Sequence, residues 1–177
     1  MRIFIAVDLD GRIKEKMHDM QNRLKDIAEK GNFTGPDNLH ITVAFIGEVS
    51  YEEFCHAADA LDSLDTKPFV LRISGFGRFR RSGGDIYWMD ASDCPELVRL
   101  HEDVARALKY RGISIDERPF RPHITLARQI RGDFGRAAED AEKQGPLTQD
   151  VKEIKIMEST RVGGKLAYPA LFTKVLT

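Results

Sequence analysis

Apolar positions recur along the chain with two different periods. Residues 2–8 carry an unbroken apolar run, Ile3 to Val7, between charged ends and predict a strand buried on both faces. From Ile13 the apolar residues Met17, Met20, Leu24 and Ile27 fall three and four apart, the spacing of an amphipathic helix. Lys30 and Gly31 predict its end, and Asn32 to Asn38, which holds Gly35-Pro36-Asp37-Asn38, predicts a loop. His40 to Ile46 is apolar and β-branched and predicts a second strand, closed by Gly47. Ser50 with Glu53 three positions on reads as a capping box, opening a helix that buries Phe54, Ala57, Ala58 and Leu61.

Residues 68–79 and 84–90 predict a strand pair turned by Arg80-Arg81-Ser82-Gly83-Gly84. Pro95 opens a helix with Leu97, Val98, Val104 and Leu108 apolar, and Gly112 stops it. A short strand is predicted near 113–117. Pro119 and Pro122 then bracket an extended segment running into a strand from His123 to Gly132. A polar helix over 134–143 and strands near 150–158 and 168–176, on either side of Gly163-Gly164, complete the order. Strands and helices mix without strict alternation, which predicts an α+β fold with largely antiparallel sheets.

One pattern occurs twice. His40-Ile41-Thr42-Val43 and His123-Ile124-Thr125-Leu126 lie one in each half of the chain, each preceded by a proline-containing segment and followed by alanine. On a strand, residues two apart share a face. His40 and Thr42 therefore point one way and Ile41 and Val43 the other, and the second copy has the same parity. Each strand can anchor itself through its aliphatics and offer an imidazole and a hydroxyl opposite. Two such strands facing one cleft supply what in-line displacement at phosphorus needs. One histidine removes a proton, the other donates one, and the threonine hydroxyls donate to phosphate oxygens. Zinc binding would need a third ligand, usually a carboxylate or thiolate, and neither motif has one as a neighbour. No metal is expected. His18, His56 and His101 fall on predicted helices and read as solvated surface.

Composition narrows the setting. With 42% hydrophobic and 31% charged residues in 177, the chain is one globular domain or two closely packed lobes. A net charge of −1 excludes the footprint of a general nucleic-acid binder, but not a local basic cleft. Arginines do gather, at Arg78, Arg80 and Arg81 and again at Arg118, Arg121, Arg128 and Arg131. No apolar run is long enough to span a bilayer, and the N-terminus starts as a strand instead of a signal peptide. Cys55 and Cys94 form no CxxC and read as reduced thiols. A cytoplasmic protein is the expectation. There is no P-loop and no G-x-G-x-x-G, so no nucleotide cofactor is expected.

The paired His-x-Thr-x motifs resemble those of the two-histidine (2H) phosphoesterase superfamily, and within it the 2′-5′ RNA ligase branch of RNA 2′,3′-cyclic phosphodiesterases. The likeness runs from Arg2-Ile3-Phe4-Ile5-Ala6-Val7 through Leu39 to Gly47 and Pro119 to Arg128, and ends at Tyr168-Pro169-Ala170-Leu171. It implies a single domain over 1–177 with two pseudo-symmetric lobes. Mainly antiparallel sheets and outer helices would surround a central cleft, with motifs at 40–43 and 123–126. It implies metal-independent hydrolysis of an RNA 2′,3′-cyclic phosphate end to a 2′-phosphomonoester, and in some relatives 2′-5′ joining of tRNA halves; a cleft completed within one chain makes a monomer the expectation. His40 would be the proton donor and His123 the acceptor, with Thr42, Thr125 and Arg128 on the phosphate.

Strict strand parity points Phe45 and Arg128 away from that cleft. A break or bulge after each alanine would bring both back, Phe45 to stack on a base and Arg128 to neutralise the phosphate. Arg121, with Arg118, would track the RNA backbone. Two other readings stand beside this one. One is a phosphodiesterase for a small cyclic nucleotide or 2′-5′ oligonucleotide, and the other a non-catalytic module that binds RNA ends.

Overall fold

The apolar run Ile3–Val7 is buried on both faces, because its strand lies inside a sheet. The computed structural model describes residues 1–116 and 118–177. The first elements are β1 (Arg2–Asp8), α1 (Gly11–Ile27), β2 (Ala28–Phe33), a 3-10 turn at Pro36–Asn38, β3 (His40–Glu48), α2 (Tyr51–Asp62), β4 (Phe69–Ile73) and β5 (Phe76–Phe79). There follow β6 (Asp85–Asp90), α3 (Pro95–Tyr110), β7 (His123–Gly132), α4 (Phe134–Gln144), β8 (Leu147–Val151), β9 (Glu153–Glu158), β10 (Thr160–Val162), β11 (Lys165–Ala167) and β12 (Ala170–Val175). This is an α+β protein with antiparallel pairing throughout the described strands.

Eight strands form one sheet in the order β12-β9-β1-β3-β7-β6-β5, with β2 also on β7. β4 and β8 pair separately, as do β10 and β11. The strands cross between the two halves. β9, late in the chain, pairs with β1, while β6 and β2, from earlier in the chain, pair with β7. All four helices bury their apolar stripes in one core with Ile3, Ile5, Val7, Ile41, Val43, Ile124 and Leu126. The other face of β1 carries a smaller cluster of Phe4, Ala6 and Met157, with Phe45 and Tyr168 packed against it.

The start of α2 behaves as the sequence indicates, with Ser50 and Glu53 completing its capping box; at the start of α1, Asp10 accepts from the Ile13 amide. Four expectations change. α1 stops at Ile27, not Gly31, and residues 28–33, expected as the helix end and the start of the loop, pair with β7. The open edge of β7 overrides a segment of weak strand propensity. The expected strand over 68–79 breaks at Ser74-Gly75, where Gly75 has φ +88°, so β4 leaves for β8 while β5 stays with β6. The strand near 150–158 divides at Lys152 into β8 and β9. No strand forms over 113–116, where the Asp116 amide bonds the Phe45 carbonyl instead. Glu117, at the end of that expected strand, lies outside the described residues.

Candidate active site

β3 and β7 are neighbours at the centre of the sheet, yet only Ile41 and Ile124 pair between them. Antiparallel register about that pair sets His40 across from Thr125 and Thr42 across from His123. The two aliphatics point down into the helix-covered core and the four polar side chains stand above it, half-buried. They line one cavity of about 470 Å³ together with Arg128, Asn38, Tyr168 and the basic side chains Arg161 and Lys165.

Both motif strands bulge, and at equivalent residues. Ala6 pairs with Thr42 and Ile5 with Ala44, leaving Val43 unpaired; Trp88 pairs with Thr125 and Tyr87 with Ala127, leaving Leu126 unpaired. The extra residue comes one position before the alanine, not after it, and it resets strand parity. Phe45 consequently joins Phe4 and Met157 on the site's face of the sheet, and Arg128 lines the cavity.

Each imidazole is tethered in the same way. His40 Nδ1 is 2.7 Å from the Asn38 carbonyl, and His123 Nδ1 is 2.6 Å from the Arg121 carbonyl. A carbonyl only accepts, so Nδ1 carries the proton in both rings and Nε2 is left for chemistry. Thr42 Oγ1 lies 3.1 Å from His40 Nε2. Each motif histidine also sits cross-strand from an aspartate, His40 from Asp8 and His123 from Asp90. Burial is the main force holding His40 below the ordinary imidazole value of 6.5. The Asn38 carbonyl and Asp8 oppose it, and the charges of Arg128 and His123 reinforce it. His123 is lowered by burial and by Arg128, against the Arg121 carbonyl and Asp90.

A second cavity, of about 450 Å³, adjoins the first through Thr42 and His123 and is walled by Phe45, Phe79, Phe120, Arg81, Arg118 and Arg121. Arg118 there forms an ion pair with Asp116. His18 and His56 are exposed, but His101 is not solvated surface. Its ring stacks on Phe120 at 4.1 Å and its Nδ1 is 2.7 Å from the Val43 carbonyl, because α3 passes directly beneath β3. Among the described residues, no three His, Cys, Asp or Glu side chains gather as a metal ion would need.

Sequence reasoning misses the walls of the site. Phe4 and Tyr168 pack around His40 at 4.9 and 5.1 Å; Phe79 and Trp88 pack around His123 at 5.2 and 5.8 Å. Asp8 and Asp90 had a signal, since each is the acidic last residue of an apolar strand that flanks a motif strand. The aromatics had none, because they come from pairings distant in sequence.

Residues 8–163 match the family model of the 2′-5′ RNA ligase superfamily. A protein of Archaeoglobus fulgidus named RNA 2′,3′-cyclic phosphodiesterase is 33% identical over 132 residues, covering 74% of each chain. One of Thermotoga maritima with the same name is 27% identical over 177 residues, covering 97% of this chain and 94% of that one. The crystal structure of Escherichia coli LigT complexed with NADP+ superposes with a TM-score of 0.78 at 27% identity, over 99% of this chain and 97% of that one. With the family model spanning both motifs and the fold matched end to end, the chain belongs to the 2′-5′ RNA ligase superfamily.

Proposed function

We propose that this protein is an RNA 2′,3′-cyclic phosphodiesterase that opens the cyclic end to a 2′-phosphomonoester with two histidines and no metal. Water attacks phosphorus on the side opposite O3′. His123 Nε2 takes its proton, the P–O3′ bond breaks, and His40 Nε2–H protonates the departing O3′. Thr42, Thr125 and Arg128 stabilise the charge building on the non-bridging oxygens. The observation that carries the reading is the pair of Nδ1-tethered imidazoles, both lining one cavity with Arg128 and both threonines. The names of the relatives agree with it.

The aromatic and basic cavity beside His123 suits the RNA preceding the cyclic end, with Phe45 as a stacking platform and Arg121 near the backbone. A 5′-hydroxyl of a second RNA, such as the other half of a cut tRNA, would use the same path in place of water and give a 2′-5′ linkage. The reading extends to a cytoplasmic monomer. It is supported by a cleft completed within one chain, two free cysteines, and no described helix long and apolar enough to cross a membrane.

The test is a short RNA ending in a 2′,3′-cyclic phosphate, incubated with EDTA, with products resolved by terminus. A 2′-phosphate product, absent in His40→Ala and His123→Ala, is expected. Equal turnover of a lone cyclic nucleotide would move the substrate to small molecules. Activity abolished by EDTA and restored by zinc would overturn the mechanism.

A further inference from the structure

Each bulge interrupts the ladder to an outer partner, β1 for β3 and β6 for β7, and the motif strands meet each other at one residue pair. Two side chains outside the motifs bond the carbonyls of the bulged residues. His101 of α3 donates Nδ1–H to the carbonyl of Val43, the bulged residue of β3, at 2.7 Å. Gln21 of α1, 1% exposed, donates Nε2–H to the carbonyl of Leu126, the bulged residue of β7, at 2.9 Å, and to Thr34 O at 2.7 Å. The Thr34 amide bonds the same Leu126 carbonyl at 2.9 Å. The arrangement is crossed: α1 follows β1, the partner of β3, but clamps β7; α3 follows β6, the partner of β7, but clamps β3.

We infer that His101 and Gln21 are positioning residues for catalysis, which lock the bulges at Val43 and Leu126. A bulge that moved or straightened by one residue would turn every later side chain to the opposite face. It would carry Phe45 and Arg128 out of the cleft and swing the hydroxyls of Thr42 and Thr125, which lie next to the bulges. Each lobe's helix thereby sets the phase of the other lobe's motif, so neither half of the site is aligned without the other. This inference rests on the proposed phosphodiesterase for its kinetic readout only.

The test compares His101→Leu, which deletes the donor, with His101→Asn, whose amide nitrogen stands where Nδ1 stands. On the cyclic-phosphate RNA, H101L should lose about 10²-fold in kcat/KM, the scale of a misplacement of about 1 Å. H101N should recover most of that loss. H101L should slow T42A by much less than it slows the parent, because both act in part through the same hydroxyl. Amide hydrogen exchange, read without substrate, should rise at 43–46 in H101L and stay unchanged in β9. Gln21→Met is the matching test at Leu126, with Thr125→Ala as its partner, and decides the matter if H101L does not fold. H101L within twofold of the parent, H101N as slow as H101L, or losses that multiply with T42A would each overturn the inference. If the protein turns over no cyclic-phosphate RNA, the functional reading fails, and the exchange contrast still decides this one.

Discussion

His40 and His123 are tethered alike, but their surroundings differ. At His40, Thr42 Oγ1 lies 3.1 Å from Nε2, while among the described residues no side chain bonds Nε2 of His123. The cross-strand aspartates differ too. Asp8 takes ammonium groups from Lys14 at 2.8 Å and Lys155 at 3.1 Å, whereas Asp90 accepts from the amide and hydroxyl of Ser92. Burial pushes the Asp8 carboxyl up, and the two lysines outweigh it and hold it low, so it stays anionic beside His40. At His40 the charge of Asp8 outweighs that of Arg128, whereas at His123 the charge of Arg128 outweighs that of Asp90. The two motif strands set two imidazoles tethered alike, and their unequal neighbours suit them to unequal roles. A ring with a nearby anion and a hydroxyl able to accept from Nε2–H suits a proton donor. A ring with an unoccupied Nε2 suits a base.

The largest expected effects come from the histidines themselves. His40→Ala and His123→Ala should each lose about 10²–10⁴-fold in kcat. A substrate with sulfur in place of O3′ separates them, since a departing thiolate needs no proton. It should restore much of the H40A rate and none of the H123A rate. Rescue of H123A instead would reverse the assignment. Next come Thr42→Val and Thr125→Val, each expected to cost about 10²–10³-fold for one donor to the phosphate. A T125V loss below tenfold would mean that only the Thr42 side of the pair holds phosphate.

Arg128→Gln tests what the two sites share. Loss of a charge-assisted contact to phosphate should cost about 10–100-fold in kcat/KM. The pH dependence gives a second readout. A base works when neutral, so the rate falls as pH drops through its pKa; an acid works when protonated, so the rate falls as pH rises through its own. Both imidazoles are held below 6.5, which places the kcat/KM maximum on the acid side of that value. Arg128 lowers both, so removing it should move the maximum to higher pH. A maximum that stays put in R128Q would show that the charge of Arg128 sets neither value.

Much of this was legible because it is local. The repeat His-Ile-Thr-aliphatic-Ala and the period of two give both motif strands and the face each histidine takes; the Ser50–Glu53 box gives the start of α2. A break or bulge near each alanine could be expected, but its place at Val43 and Leu126 was not legible, since a bulge is a relation to a partner strand, here β1 and β6. The same holds for His101, whose helical spacing marks a half-exposed position and cannot reveal the Val43 carbonyl beneath it. β2 escaped notice for a related reason. Ala28-Glu29-Lys30-Gly31-Asn32-Phe33 has no strand pattern, and only the open edge of β7 makes it one.

The smallest expected effects test the aromatic walls, one histidine at a time. Gly77 lies cross-strand from Trp88, and a methyl group there would overlap the six-membered ring of the indole. In Gly77→Ala the indole must move, and with it the wall that Trp88 and Phe79 make around His123. The expected cost is about 1–3 kcal/mol of stability, read as a lower Tm. Because burial lowers His123, loosening its wall should raise its pKa toward 6.5. The acid limb of the pH–rate profile then shifts to higher pH while the basic limb holds. Phe4→Leu does the converse at His40, where Phe4 packs with Tyr168. It should move the basic limb upward and leave the acid limb in place. If both substitutions moved the same limb, the two walls would not tune separate histidines, and the roles assigned from their unequal neighbours would have to be given up.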